Sequence, residues 1–209
     1  MSDPYPPLPE TLARIRELSE VCGKPVDETL DAARLSFLTG VTEQDVRTLL
    51  AGGTAPAADL DVMVRDRVRF LYETRTDGKG NPRDIRDIAA AIEQTTTWTK
   101  KLVSGDAKPN ILVGAALTKY YDVASSFLTD PPADAVNREL QPTLFDLQVA
   151  TDPSKALRDL GVVHIAGRSP HLQEAPNLTE LARMVASIAS DLNQVNTQLQ
   201  RMQNPEENR

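Results

Sequence analysis

The sequence predicts an all-α protein, and three features of the chain support that prediction. Apolar residues recur three and four positions apart in one segment after another, as they do along the buried face of a helix. Glycines and prolines stand at the ends of those segments, where they open or end helices. Only 4 % of the residues are aromatic, so Leu, Ile, Val and Ala must fill the core. A length of 209 residues is enough for one or two packed domains.

The N-terminal region predicts three helices. Residues 1–9 contain four prolines and are expected to be extended. A first amphipathic helix follows and ends at Gly23, a second covers residues 27–39, and a short third covers residues 43–51. The inward positions of the first two are expected to be Leu12, Ile15 and Leu18, and then Leu30, Ala33 and Leu38.

Two helices are predicted next in the chain. The first covers residues 60–72, and its arginines are expected mostly on the solvated face. A loop at residues 76–81 leads to the second, which Asn81 caps and Pro82 opens, because the missing N–H of proline is not needed in the first turn of a helix. The inward positions of this pair are Leu60, Val64, Val68 and Leu71, and then Ile85, Ile88, Ala89 and Ile92.

A polar turn separates that helix from another short one. Three threonines at residues 95–97 interrupt the apolar pattern, which resumes over residues 98–104. Gly105 ends the helix, because a residue without Cβ accepts the left-handed conformation of helix ends. Two closing helices are then expected, at residues 111–121 and 124–128.

The two short helices and their tight turn predict a helix–turn–helix. Two helices joined so closely cannot lie flat on one another, so the second is left protruding. Its exposed face carries threonines and lysines without a carboxylate, which suits the anionic major groove of DNA. We therefore interpret residues 95–104 as a recognition helix. The candidate DNA-binding residues are Thr95, Thr96, Thr97, Trp98, Lys100, Lys101, Arg83, Arg86, Lys108 and Asn110.

These candidates are expected to play different roles. Thr96, Thr97 and Lys100 are the candidates for base edges. Phosphate contacts orient a protein on DNA but carry little sequence information, and they are expected from Lys101, Arg83, Arg86 and Lys108. Trp98 either stacks on DNA or packs beneath the recognition helix, and the second is favoured.

The segment resembles the lambda-repressor-type (XRE) helix–turn–helix regulators. Ala89, Gly105 and Pro109 match the small residue, the closing glycine and the following proline of that family. The stretches RVRFLYET, GKGNP, IAAAI, KLVSG and ALTKYYDVASSFLTD, together with GVVHIAGR further on, resemble the EspR-like family of actinobacterial nucleoid-associated regulators. About half of the chain is covered. Glu93 departs from the family at the turn glycine, and Thr99 departs at a usually apolar inward position.

A second, degenerate copy of the motif is predicted at residues 26–56. Gly52 is followed four residues later by Pro56, as Gly105 is by Pro109, and the two pairs lie 53 residues apart. Gly40 stands at the turn position of this copy. The counterpart of the recognition helix contains two carboxylates that would repel phosphate. A packing or protein-contact role is therefore favoured over DNA contact.

The C-terminal region predicts a dimer. Leu140, Leu144, Leu147 and Val149 indicate a helix near Pro142, and residues 155–167 indicate another. A final helix then has apolar residues at spacings of four and three over about three heptads, the pattern of a helix seam. Its seam residues are Leu181, Val185, Ile188, Leu192, Val195, Leu199 and Met202. Either the same subunit or its copy must cover them. The resemblance implies that this region pairs subunits, and DNA readers of this type usually bind as symmetric pairs, so a homodimer is favoured.

The charge distribution is compatible with DNA binding despite a net charge of −7. Residues 61–110 carry ten basic and eight acidic groups, whereas residues 1–60 and 111–209 have net charges of −5 and −4. Phosphate attraction acts within a Debye length of about 8–10 Å, so a local basic face is sufficient. The chain therefore divides into an N-terminal helical region (1–56), a DNA-binding domain (57–132) and a C-terminal dimerisation region (133–209).

Other function classes find little support in the residues. A single cysteine, Cys22, excludes an internal disulfide and suits the cytoplasm. His164 and His171 lack the companions of a metal site, and Asp84 and Asp87 are typical helix-start charges. No catalytic signature, cofactor motif, membrane span or signal peptide is expected. The sequence predicts a cytoplasmic, nucleoid-located, homodimeric regulator that binds specific double-stranded DNA. The alternative is a protein-interaction or nucleoid-architectural protein that uses the acidic N-terminal region to hold a protein partner.

Overall fold

The computed structural model describes residues 5–56 and 59–152. Within them the chain forms helices joined by turns and contains no strand, which confirms the predicted all-α class. No helix in these ranges is long and apolar enough to cross a membrane. The helices are α1 (Leu8–Val21), α2 (Val26–Thr29), α3 (Ala32–Thr39), α4 (Glu43–Leu50), α5 (Leu60–Thr74), α6 (Ile85–Ala91), α7 (Thr96–Ser104), α8 (Ile111–Tyr120) and α9 (Pro132–Thr151).

The described residues fall into two compact units. The larger unit consists of residues 5–12 and 27–140, and the smaller one of residues 13–26 and 141–152. The division into regions at residues 56 and 132 stays a prediction. The predicted helix at 155–167, the two histidines and the whole predicted seam from Leu181 to Met202 lie outside the described residues.

Helix α1 begins earlier than predicted. It starts at Leu8, and the backbone amides of Glu10 and Thr11 donate to the carbonyl oxygen of Pro7 at 2.9 and 3.1 Å. Pro9 fits this first turn, because a backbone N–H at that position would have no acceptor within the helix. The expectation that residues 1–9 are extended was therefore wrong for Leu8 and Pro9, which belong to α1.

The second predicted helix is two helices. Asp31 separates α2 from α3, because its carboxylate accepts from the amides of Ala33 and Arg34 at 2.9 and 3.1 Å and so caps a new helix. The predicted inner face was wrong at Ala33, whereas the predicted Leu30 and Leu38 are half-buried. Leu35 and Thr39 are the buried residues of α3, while Ala33 is exposed.

The core of the larger unit lies among α5, α6, α7 and α8. Its largest fully buried side chains include Leu71, Ile88, Leu102, Leu117 and Phe127. Burying each of these relative to water contributes about 1.5–3 kcal/mol, so this cluster fixes the positions of the four helices. The full cluster is Val68, Leu71, Ile88, Ile92, Leu102, Val113, Leu117, Tyr121, Phe127 and Leu128.

Three expectations about this unit were wrong. Leu60 is 55 % exposed instead of facing inward. Arg67 is only 2 % exposed, although the arginines of α5 were expected mostly on the solvated face. Residues 124–128 form turns and not a closing helix, with the amide of Phe127 donating to the carbonyl of Ala124 at 2.9 Å.

Helix α9 confirms the helix predicted around Pro142. The helix continues through that proline, and the four predicted apolar residues are all buried. These residues are Leu140, Leu144, Leu147 and Val149.

Candidate nucleic-acid interface

Helix α6 begins three residues later than predicted. Its cap is Asp84, whose carboxylate accepts from the amide of Arg86 at 2.7 Å. Asn81 belongs to the preceding loop, where its amide donates to the carboxylate of Asp77 at 2.9 Å. The carboxylate of Asp77 also accepts from the amide of Lys79, and these backbone hydrogen bonds hold its pKa below the usual value. Asp84 is therefore the helix start, and the prediction of an Asn81 cap was wrong.

The turn after α6 takes the geometry for which glycine is normally needed. Glu93 has a φ of +54°, in the left-handed region, and the next amide, that of Gln94, donates to the carbonyl of Ala89 at 2.9 Å. A residue with a Cβ is strained there by about 1 kcal/mol. The departure from the XRE pattern at Glu93 thus leaves the turn in place at a modest cost.

Helix α7 is capped at both ends. The hydroxyl of Thr95 accepts from the amide of Trp98 at 3.2 Å, so the helix starts at Thr96, two residues before the predicted start. Gly105 has a φ of +85° and ends the helix, as predicted. The recognition segment of residues 95–104 therefore corresponds to one capped helix.

One face of α7 is buried. Thr99, Leu102 and Val103 are buried, and Trp98 is half-buried against the apolar core. The Thr99 hydroxyl donates to the carbonyl of Thr95 at 2.9 Å, so this polar residue is satisfied at the inward position. The favoured packing role of Trp98 is confirmed.

The opposite face of α7 is exposed and free of acidic residues. Its exposed side chains are Thr95, Thr96, Thr97, Lys100, Lys101 and Ser104. No ion pair in the described part of the chain involves Lys100 or Lys101. Both ammonium groups therefore remain available to an external anion.

Two of the expected phosphate contacts interact with other groups of the protein. The Arg83 guanidinium donates to the carbonyls of Arg75 and Tyr120 at 3.3 and 3.4 Å and lies 5.1 Å from the centre of the Tyr120 ring. The Lys108 ammonium is 2.8 Å from the carboxylate of Asp61 on α5. Arg83 is thus held by the protein itself, whereas Lys108 and Asp61 form a pair in which both side chains are about half exposed. A DNA contact of either cation stays a prediction.

The remaining candidates differ in their accessibility. The carbonyl oxygen of the Asn110 side chain caps α8 by accepting from the amide of Val113 at 2.9 Å, so its predicted DNA role competes with a structural one. Arg86 is exposed on α6, and within the described ranges no hydrogen bond or ion pair engages its guanidinium. Arg86 therefore stays a candidate, and Asn110 is a structural cap first.

Arg69 is a contributor that the sequence prediction missed. Its guanidinium donates through Nε and Nη2 to the carbonyl of Ser104 at 3.2 and 2.6 Å. A Cβ at Gly105 would lie 2.4 Å from Nη2, so the glycine makes room for this contact as well as for the left-handed turn. Arg69 thus fastens the C-terminal end of α7 to α5. The signal available in the sequence was its position as a basic residue on α5, the helix that precedes the motif.

The structure repeats the local geometry of this motif 53 residues earlier in the chain. Each copy begins with an aspartate cap, turns through a left-handed residue, restarts at a threonine cap and ends at a left-handed glycine. The matching pairs are Asp31 and Asp84, Gly40 and Glu93, Thr42 and Thr95, and Gly52 and Gly105. The similarity predicted from two glycine–proline pairs therefore extends to both N-caps and both left-handed positions of the unit.

The exposed surface of the first copy has different chemistry. On α4, Glu43 forms an ion pair with Arg47, and Asp45 accepts a hydrogen bond from the Thr42 hydroxyl at 2.7 Å. The charges of Glu43 and Arg47 thus cancel and Asp45 leaves the face with one negative charge, whereas the two lysines of α7 form no ion pair among the described residues. The two copies share a scaffold and present different surfaces.

Comparison of the chain with protein-family models, curated proteins and solved structures finds no match in any of the three. The candidate interface is accordingly defined by its own residues: a buried face that seats α7, caps that set its ends, and an exposed row of hydroxyl and ammonium groups.

Proposed function

We propose that the protein is a transcriptional regulator that binds specific double-stranded DNA and inserts α7 into the major groove. One observation carries the proposal: α7 buries one face and leaves Lys100 and Lys101 exposed on the other, with no acidic partner among the described residues. The major groove admits an α-helix, and its base edges offer acceptors for lysine and hydroxyl donors. Fixed caps keep the helix in one register.

The contacts divide into two classes in this proposal. Thr96, Thr97 and Lys100 read base edges, since they lie in the first turns of the protruding helix. Lys101 and Arg86 bind phosphates and set the orientation of the protein on the duplex. Because each phosphate neutralised releases counterions, removing either residue should lower the salt slope of binding by about 1.

We further propose an XRE-like, EspR-like regulator that acts as a homodimer in the bacterial nucleoid. The residue patterns of the sequence support this assignment, together with the heptad repeat of residues 181–202. A dimer places two recognition helices on half-sites about one helical turn of DNA apart. Mapping of bound sites across the genome distinguishes a local regulator, with few sharp sites, from a nucleoid organiser, with hundreds of broad ones.

Charge reversal on α7 tests the DNA-binding proposal. A duplex is first selected from random sequence by the wild-type protein, and affinities are measured by gel shift. The double variant Lys100→Glu/Lys101→Glu should lose about 100-fold or more in affinity, since two attractive contacts become repulsive. The control is Lys79→Glu/Lys119→Glu, which makes the same charge change at exposed positions outside α7. Equal affinities of the two double variants, or failure to select any duplex, would reject the proposal.

A second candidate function is protein interaction through the N-terminal copy. The observation in its favour is that α4 repeats the exposure of α7 while Glu43 and Arg47 neutralise one another. The carboxylate of Asp45 leaves this face with a net negative charge, so it lacks the phosphate attraction that supplies most non-specific DNA affinity. If the wild-type protein is folded but selects no duplex from random sequence, this candidate is favoured over DNA binding.

A further inference from the structure

An apolar groove of about 530 Å³ opens on the larger unit, and none of its described lining residues belongs to α7. Its walls come from the start of α1, the end of α4, the segment 52–56, the start of α5 and residues 129–133. Leu12 and Leu49 form its floor and are almost fully buried, whereas Leu60 at its rim is 55 % exposed. The groove thus joins buried apolar surface to an exposed apolar side chain.

The lining selects for a ligand without charge. A quarter of the chain consists of charged residues, yet none of them is among the described residues that line the groove. The only side-chain hydroxyls there belong to Thr54 and Thr129. A charged group entering the groove would lose hydration without gaining a partner, whereas an aliphatic body would gain about 25 cal/mol for each Å² removed from water.

The size of the groove separates a small molecule from a helical partner. Small-molecule sites usually measure about 300–1,000 Å³, and the groove lies within that range. A partner helix would need a trough about 10–12 Å wide that continues over several turns, whereas the volume of this groove is that of a single small molecule.

The groove is connected to α7 through α5. Leu60 and Met63 line the groove, and Asp61 between them holds the Lys108 ammonium, which precedes α8. Further along α5, Arg69 holds the carbonyl of Ser104 at the end of α7. A ligand that shifts the first turn of α5 would therefore pull on both attachments.

We propose that this groove binds an uncharged small molecule with a mainly aliphatic body, and that its occupation changes the DNA affinity of α7. The binding stands on the groove alone, whereas the effect on affinity rests on the proposed DNA-binding function. The ligand acts as an effector because it contacts the first turn of α5. Arg69, further along α5, holds the C-terminal end of the recognition helix α7.

The binding is tested on the full chain with the neutral fluorescent probe N-phenyl-1-naphthylamine. The wild type should enhance its fluorescence with saturation at one site. Met63→Trp, which fills the groove, should weaken binding of the probe by about 10-fold or more, since the indole then occupies the space that the probe needs. Val62→Trp is the matched control, because Val62 is 46 % exposed on the same helix and does not line the groove. If circular dichroism shows that Met63→Trp is unfolded, Ala55→Leu on the opposite wall provides the comparison.

Absence of saturable probe binding to the wild type would overturn the proposal, as would equal binding by a folded filling variant. The regulatory part is tested by measuring DNA affinity with and without saturating probe. A change of about 5-fold or more supports it, in the range of ordinary allosteric coupling. Equal DNA affinities would overturn the regulatory part alone. If the wild type bound no duplex while the probe still bound at one site, the DNA-binding proposal and the regulatory part would fail and the ligand site would stand.

Discussion

At the scale of single residues, Tyr121 is a buried phenol without a hydrogen-bond partner in the described part of the chain. It is 3 % exposed, and its hydroxyl oxygen lies in the core. Leaving such a group unpaired costs about 1–3 kcal/mol. Tyr121→Phe is therefore expected to raise the free energy of unfolding by about 1 kcal/mol, measured by urea denaturation. Tyr120→Phe, on the half-buried neighbour, should leave the free energy of unfolding nearly unchanged. A loss of stability in Tyr121→Phe would show that the Tyr121 hydroxyl has a hydrogen-bond partner.

The same residue predicts a dependence on pH. Burial raises the pKa of Tyr121 above the ordinary tyrosine value of about 10, and the neighbouring Tyr120 adds to this, while Arg83 acts in the opposite direction. The unfolded phenol ionises near 10.0 and the folded one only at higher pH, so the unfolded state binds fewer protons in between. Wild-type stability should therefore fall as the pH rises above 10, and Tyr121→Phe should lack this part of the decline.

Arg67 shows what a residue-level prediction missed and why. It stands three residues after Val64 and four before Leu71, so helical spacing already placed it on the buried face. Its charge argued for solvent instead. In the structure its guanidinium donates to the carbonyl of Phe127 at 2.8 Å, and burial, with the charge of Arg138, lowers its pKa to about 10. The periodicity was the better guide, and the hydrogen-bond acceptor came from a turn 60 residues away.

At the scale of elements, the existence of helices was predictable and their starts were less so. Apolar periodicity gave the helix around Ile88 and the one around Leu102, and both occur. The start of α6 was wrong because Asn81 and Asp84 are both good caps in sequence. The choice was made by Asp77, whose carboxylate binds the Asn81 amide and keeps it in the loop. Such competition between local partners is decided by loop geometry that spacing does not encode.

The left-handed turns of the two repeated units yield an element-scale prediction. Glu93 bears the strain of a Cβ at φ +54°, whereas Gly40 occupies the same position in the first unit without it. Glu93→Gly should raise the free energy of unfolding by about 0.5–1 kcal/mol.

Gly40→Ala is the reciprocal change and should lower the free energy of unfolding. Its Cβ would lie 2.8 Å from Cζ of Phe127, in addition to the strain of the backbone. Denaturant titration of both variants provides the measurement. If Glu93→Gly proved destabilising, the Glu93 side chain would have a stabilising role that outweighs its backbone strain.

The contact of Arg69 with the end of α7 yields a prediction about binding. Arg69→Ala removes both donors from the Ser104 carbonyl, so the proposed recognition helix should be held less firmly and lose about 3- to 10-fold in DNA affinity. The salt slope should not change, because the residue acts through Ser104 and not on phosphate. Arg69→Lys retains the charge without the fork geometry and should recover only part of the loss. A salt slope lowered by about 1 in Arg69→Ala would instead show direct phosphate contact.

At the scale of the whole molecule, the repeated unit was the more predictable feature and the placement of the candidate interface less so. Two glycine–proline pairs sufficed to indicate the offset of 53 residues, because glycine marks left-handed turns in either copy. Arg83 and Lys108 of the predicted interface contact distant segments, through Tyr120 and Asp61 respectively. The sequence shows the charge of such a residue but not its partner. Among the described residues Lys100 and Lys101 take part in no ion pair, and their DNA contacts stay predictions.

Subunit pairing is the last whole-molecule prediction, and it depends on the heptad pattern of residues 181–202. An apolar stripe of about three heptads needs a covering surface. If a second copy provides it, a chain ending at Pro176 should be a monomer, with about two-fifths of the mass of the full-length dimer by light scattering. Its DNA affinity should also fall, because two recognition helices no longer bind as one unit. Leu192→Asp should act like the truncation, since it buries a charge in the seam. The control is Asn193→Asp, which introduces the same charge at the next residue, outside the predicted seam. A truncated chain that remains paired would move the dimer contact to residues 1–176 and leave the stripe to be covered by its own subunit.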